Sequence, residues 1–223
     1  KFDPNLHQAI SMVPADQESI RIWGIHGVDE RNGQFFLFRE VLGGGSGGRW
    51  YADGSDVVHI VPNSRNLPVE FSETRYPIVV ESLGLKVDSG GAGERRGGLG
   101  YHKRIRVLQD ASLLSNADRS LISPYGLRGG KAGGNYGVGV QRPDGFERLP
   151  GLSDDIEIVT TGGGGWGDPL DRDPELVRMD VVRGVVTRAS AYDDYGVVLE
   201  ETWESAVDAA GTDARRAELR AGK

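Results

Sequence analysis

The densest group of side chains able to do chemistry lies between Pro62 and Pro77. Asn63, Arg65, Asn66, Glu70, Glu73 and Arg75 all fall within this short segment. Arg and Asn can orient a carboxylate, an amide or a phosphate through forked hydrogen bonds, and a Glu beside them can move a proton. Pro62, Pro68 and Pro77 fix the local backbone, so the segment is expected to be ordered without regular structure. The same residues also suit a purely structural role, an Arg–Glu network that holds a long loop and satisfies its backbone.

Three glycine-rich stretches are the other places where chemistry can be sought. Gly43 to Trp50 can form a backbone nest for an anion or serve as a wide turn between strands. It is not a P-loop, since no Gly-Lys-Ser/Thr ends it and no helical pattern follows. Asp88 to Gly100 lacks a G-x-G-x-x-G fingerprint and sits between strand patterns, which argues against a dinucleotide site. Gly162 to Gly167 is followed by Asp168, Asp171 and Asp173, whose negative charge disfavours an anion there, and Pro169 and Pro174 remove two donors. It reads as a crossover from a β-patterned body to a helical tail. His7, His26, His59 and His102 are scattered, without H-x-x-x-H or H-E-x-x-H spacing, and no motif assigns metal ligands.

The elements that must position these groups follow from apolar periodicity. Residues 20–28 and 34–42 alternate around Arg31-Asn32-Gly33 and predict a hairpin. Strands are expected at 57–61, 78–87, 101–107, 136–140 and 155–159, with a Pro143-Asp144-Gly145 hairpin turn before Phe146. His102, Arg104 and Arg106 give one of these strands a basic outer face, for an acidic partner or, more commonly, for solvent. Residues 111–122 are ambiguous between strand and helix. Asp173 predicts an N-cap, Pro174 the first helical position and Gly184 a stop. Thr187 predicts a second cap, and 202–222 reads as terminal helical pieces that dock on a partner chain or fray.

Composition bounds the rest. The chain has 223 residues, a net charge of −7 and 34 glycines without a collagen period. That excess of acid makes nucleic acid an unsuitable partner. No apolar run reaches the roughly 20 residues of a membrane span. Lys1 to Pro4 shows neither an initiator Met nor a signal-peptide core. The absence of cysteine excludes disulfides and thiolate metal sites and fits a cytoplasmic protein.

Several segments, in this order, resemble the C-terminal part of the hydantoinase B/oxoprolinase family. They are Asn63-Ser64-Arg65-Asn66-Leu67-Pro68-Val69-Glu70, Arg75-Tyr76-Pro77, Asp88 to Gly93 with Arg96 to Gly100, Gly162 to Pro169 with Asp173-Pro174, and Asp194 to Leu199. The family includes ATP-dependent cyclic-amide hydrolases and the related acetone and acetophenone carboxylases. The resemblance implies a hetero-oligomeric enzyme in which a hydantoinase A-type subunit uses ATP and Mg to phosphorylate an activated oxygen of the substrate. It implies a divalent metal (Zn, Mn or Fe) outside this chain, and as a further partner the N-terminal portion of the B-type subunit, which is missing here.

The expectation is therefore an α+β chain: a β-rich body over 1–161, then a glycine-rich crossover and helical tail over 162–223, packed as one domain. The expected function is the C-terminal part of a hydantoinase B-type subunit in ATP-dependent hydrolysis of a small-molecule cyclic amide such as a hydantoin or oxoproline. Asn63, Arg65 and Asn66 are the expected substrate-binding residues, and Glu70 the expected catalytic residue or the group that holds Arg65. The alternatives are the carboxylase branch and a non-catalytic scaffold that completes a larger complex.

Overall fold

The computed structural model describes residues 22–59, 65–117, 119–142, 145–147, 155–202 and 205–222. The architecture is α+β. Strands β1 (Ile22–Asp29), β2 (Gln34–Val41) and β5 (Ser112–Asn116) form one antiparallel sheet in the order β2-β1-β5. Strands β3 (Ile78–Leu85), β4 (Tyr101–Val107), β6 (Gly137–Arg142), β7 (Gly145–Glu147) and β8 (Asp155–Val159) form a second, in the order β3-β4-β8-β6-β7. Helix α1 is Val69–Arg75, and the tail holds α2 (Pro174–Val182), α3 (Arg188–Asp193) and α4 (Ala209–Ala221). Among the described residues, no helix is long and apolar enough to cross a membrane.

The two sheets bury their alternate residues against each other. Trp23, Ile25, Phe36 and Phe38 of the first meet Ile78, Ile105, Val107, Val138, Ile156 and Ile158 of the second in one core. Each such side chain removed from water contributes about 1.5–3 kcal/mol. Trp23 and Phe38 meet edge to face with ring centroids 5.4 Å apart, and Phe38 meets Tyr76 at 5.0 Å. A smaller core joins Val177, Val186, Ala191, Tyr195 and Val197 of the tail to Ala92 of the body.

Local chemistry predicts several elements well. The β1–β2 hairpin forms, but its loop is wider than an Asn-Gly pair. Asn32 and Gly33 both donate to the Asp29 carbonyl, and Gly33 rather than Asn32 takes the positive φ, at +69°. Asp173 caps α2 by accepting from the Glu175 amide, Thr187 caps α3 through Ser190, and Gly184 follows α2 with φ +70°. The ambiguous segment 111–122 yields β5, which pairs with β1. Arg104 pairs with Asp155, His102 with Glu157 and Arg106 with Glu81, so the basic face of β4 is neutralised within its own sheet.

Four expectations are corrected. The strand expected at 57–61 is absent over its described part: Val58 makes only an isolated bridge with Gly44, and Val57 has φ +51°. The segment expected to lack regular structure contains α1, which Pro68 precedes and Pro77 follows; the prolines punctuate a helix. The C-terminal pieces are one helix, α4, which starts before Gly211 with Asp208 as its N-cap. It docks on its own chain: Arg216 donates to the carbonyls of Tyr195 and Arg172, and Arg220 to that of Leu170.

The fourth correction concerns the glycine stretches, which are neither turns nor exposed loops. Residues 161–167 do connect β8 to the tail, but they run buried through a bundle of extended segments. Gly162 and Gly165 donate to the carbonyls of Gly134 and Lys131, while Gly163 and Trp166 donate to those of Gly98 and Arg95. The carbonyls of Thr161 and Gly164 accept from Gly45 and Gly48. Partners on each neighbouring segment are three residues apart, where a β-strand would repeat every two. A threefold extended helix of the polyproline II type gives this repeat, and its backbone groups are all left to bond sideways. Side chains are excluded: a Cβ on Gly162 would lie 1.7 Å from the Ser89 carbonyl oxygen, and one on Gly163 2.0 Å from that of Ser46.

Candidate functional site

The polar segment folds as a loop leading into α1. Arg65 is exposed, Asn66 is partly buried, and Glu70 is exposed on the first helical turn. Asn63 lies outside the described residues. Ser72 turns inward and its hydroxyl donates to the Pro68 carbonyl, which anchors the helix to its own entry. Glu73 Oε1 accepts from the Val80 amide at 2.8 Å and ties α1 to β3. The Arg75 carbonyl accepts from Arg31 of the β1–β2 loop.

Among the described residues, Arg65 and Glu70 form no ion pair with each other or with any other side chain, so no Arg–Glu network joins them. Glu73 does the anchoring instead, through a backbone amide. Arg65 and Glu70 are both exposed. At the other end of α1, about 7.5 Å of helix rise away, a cleft of about 190 Å³ separates the helix from the hairpin. Arg75 and Tyr76 line one side, and Asp29, Asn32 and Gln34 the other. Arg75 belongs to the polar cluster, but its position beside the cleft depends on β2 and was not visible in spacing.

A second polar assembly was missed in the sequence. Arg172 is 1% exposed and its guanidinium donates to Asp53 Oδ1 and Oδ2 at 2.7 Å each, to Asp180 Oδ2 at 2.8 Å and to the Glu94 carbonyl at 3.0 Å. Arg96 lies 3.6 Å from Asp180 and 3.5 Å from Asp56. Burial pushes the Asp53 carboxyl up, but the hydrogen bonds and charge of Arg172, with the Arg96 amide and charge, outweigh it and hold Asp53 below the usual carboxylate range. Burial likewise opposes the charge on Arg172, and Asp53 and Asp180 more than restore it. This network fastens the tail to the glycine bundle, and all its charges are committed to one another.

A third polar feature sits between the sheets. Lys103 Nζ lies 2.5 Å from Glu40 Oε2 and 5.8 Å from the ring centroids of both Trp23 and Phe38. Both charged side chains are less than 5% exposed. The pair fixes β2 against β4 and is closed to solvent.

The resemblance places the nucleotide and the metal outside this chain, and the described residues form no site for either at the glycine crossover or among their carboxylates and histidines. The amides of Gly162, Gly163, Gly165, Trp166 and Gly167 are spent on backbone carbonyls, so this loop has no free cradle for phosphate. Among the described residues, no three His, Cys, Asp or Glu side chains cluster to hold an ion. Of the histidines, His102 bonds Glu157 at 2.6 Å and His26 lies beside Phe35.

A two-sheet sandwich joined to a buried glycine bundle and a helical tail, with an α1 motif exposed at its edge, defines the class. The chain belongs to the hydantoinase B/oxoprolinase family, whose model matches residues 5–169. It is 29% identical over 213 residues to the putative B subunit of a D-/L-hydantoinase from Pseudomonas sp. (strain NS671), covering 89% of this chain and 36% of that protein. The crystal structure of ATP-dependent caprolactamase from Pseudomonas jessenii superposes with a TM-score of 0.76 at 28% identity, over 92% of this chain and 38% of that one. The nucleotide-free structure of acetone carboxylase shares the fold, with a TM-score of 0.78 at 24% identity over 94% of this chain and 34% of the other. The chain thus spans little more than a third of these relatives.

Proposed function

We propose that this chain is the C-terminal part of a hydantoinase B-type subunit and acts in the ATP-dependent hydrolysis of a cyclic amide. The observation that carries this reading is the alignment with a hydantoinase of that type across 89% of the chain, together with the caprolactamase fold at 28% identity. In the proposed reaction, an A-type partner activates the amide oxygen by phosphorylation with ATP and Mg. Water adds to the activated carbon at neutral pH, the ring C–N bond breaks as its nitrogen takes up a proton, and the resulting acyl phosphate is hydrolysed to a carboxylate and inorganic phosphate. A divalent metal would come from the N-terminal portion of the subunit.

Within this chain, Arg65 and Asn66, with Asn63, orient the substrate or its phosphate, and Glu70 transfers a proton. That Arg65 and Glu70 are exposed, and make no ion pair with each other among the described residues, supports these roles over a holding role for Glu70. Arg65→Ala in the assembled enzyme is expected to lower kcat/KM by roughly 10–100-fold, the worth of one charge-assisted hydrogen bond. Steady-state turnover of a hydantoin or 5-oxoproline would measure it, and unchanged turnover would remove Arg65 from the site.

A further inference from the structure

The two sheets turn unlike faces outward. On the five-stranded sheet, His102, Arg104 and Arg106 meet Glu157, Asp155 and Glu81 across the strands. Such a ladder of opposite charges suits a face in water. On the three-stranded sheet, the residues that alternate with Trp23, Ile25, Phe36 and Phe38 are mostly apolar instead. Val28 stands opposite Phe35, His26 opposite Leu37, and Gly24 opposite Leu114. Val28 is 58% exposed, Phe35 68%, Leu37 46% and Leu114 48%. Ile22 and Val41, paired with each other, continue the strip. Arg39 is the one fixed charge among the outward positions of β1, β2 and β5. A contiguous apolar face of this kind marks an interaction surface.

We propose that the outer face of β2-β1-β5 is where the remaining portion of the hydantoinase B-type subunit docks, an inference that rests on reading this chain as part of such a subunit. Length favours that occupant. The matched unit fills 36% of the hydantoinase polypeptide and 34–38% of the two solved chains, so about twice its length is left in each polypeptide to pack around it. The charged face of the other sheet offers no comparable apolar area.

The test uses the complete B-type subunit assembled with its A-type partner. The photoreactive p-benzoylphenylalanine replaces Phe35 in one sample and Arg104, on the opposite outer face, in another. After irradiation, adducts are mapped by peptide mass spectrometry. Position 35 is expected to give roughly tenfold more adduct than position 104, joined to subunit residues outside the matched unit. Adducts confined to a second copy, to the A-type subunit or to residues 1–21 would overturn the proposal, as would equal yields at the two positions. Intact mass separates the two levels of failure. If the native preparation holds no B-type polypeptide beyond this unit, the partial-subunit reading falls together with the docking; if that polypeptide is present but unlinked, the docking surface alone is wrong.

Discussion

Gly162→Ala is expected to destabilise the chain by at least about 3 kcal/mol, and to prevent folding where stability is marginal. The added methyl would sit 1.7 Å from the Ser89 carbonyl oxygen and 2.8 Å from the Gly90 nitrogen, and neither is the movable end of a side chain. Relief requires the segments at 89–92 and 161–167 to separate. That would break lateral bonds such as Gly91 to the Gly163 carbonyl and Gly163 to the Gly98 carbonyl. Gly84→Ala is the matched comparison, because nothing lies within 4 Å of its added methyl and its φ is not in the left-handed region. It should leave stability within about 0.5 kcal/mol. Denaturant unfolding of the two variants measures the difference. Equal, small effects would mean that the bundle is looser than the backbone contacts indicate.

Arg172→Ala is expected to cost about 3–5 kcal/mol, the usual consequence of removing one partner from a buried ionic network. Asp180 would keep only the more distant Arg96 at 3.6 Å, and Asp53 would lose both of its bonds from Arg172 and keep only that from the Arg96 amide at 2.8 Å. The tail should loosen first, since the lost guanidinium is what ties residue 172 to Asp53 and to the Glu94 carbonyl of the body and to Asp180 of α2. Faster hydrogen exchange in α2 and α4 than in β4 and β8 would show this. The network also has a pH signature. Asp53 has a folded pKa below its unfolded one, so its contribution is full above the unfolded value near 4 and is lost as pH falls through the folded value. Between about pH 5 and pH 3 the parent chain should therefore lose more stability than Arg172→Ala, whose Asp53 no longer has that partner. Parallel acid limbs would place the stabilising charge elsewhere.

What the sequence revealed was mostly what adjacent residues decide. Asp173 and Pro174 start α2 through their own backbone chemistry, and the alternation of β1, β2 and β4 follows from one buried face. Helix α1 was obscured because prolines around a seven-residue helix resemble prolines in a loop. The glycine bundle was obscured for a different reason. Its three-residue repeat lies in the lateral partners, from Gly45 to Lys131, and not in any one stretch. The Asp53–Arg172 pair spans 119 positions and the Asp53–Arg96 contact 43, separations at which spacing carries no signal. The motif around Arg65 and Glu70 was legible through family resemblance. Its exposed setting became visible only when Glu73, not Glu70, proved to be the anchor of α1.

Placing this chain in an ATP-dependent amide hydrolase is tested most directly by following substrate loss in the complete assembly, with and without bicarbonate. The account predicts that a hydantoin or 5-oxoproline is ring-opened only when ATP and Mg are present, at the same rate whether or not bicarbonate is supplied. Turnover that requires bicarbonate and yields a carboxylated product, or ring opening that proceeds equally well without ATP, would contradict it.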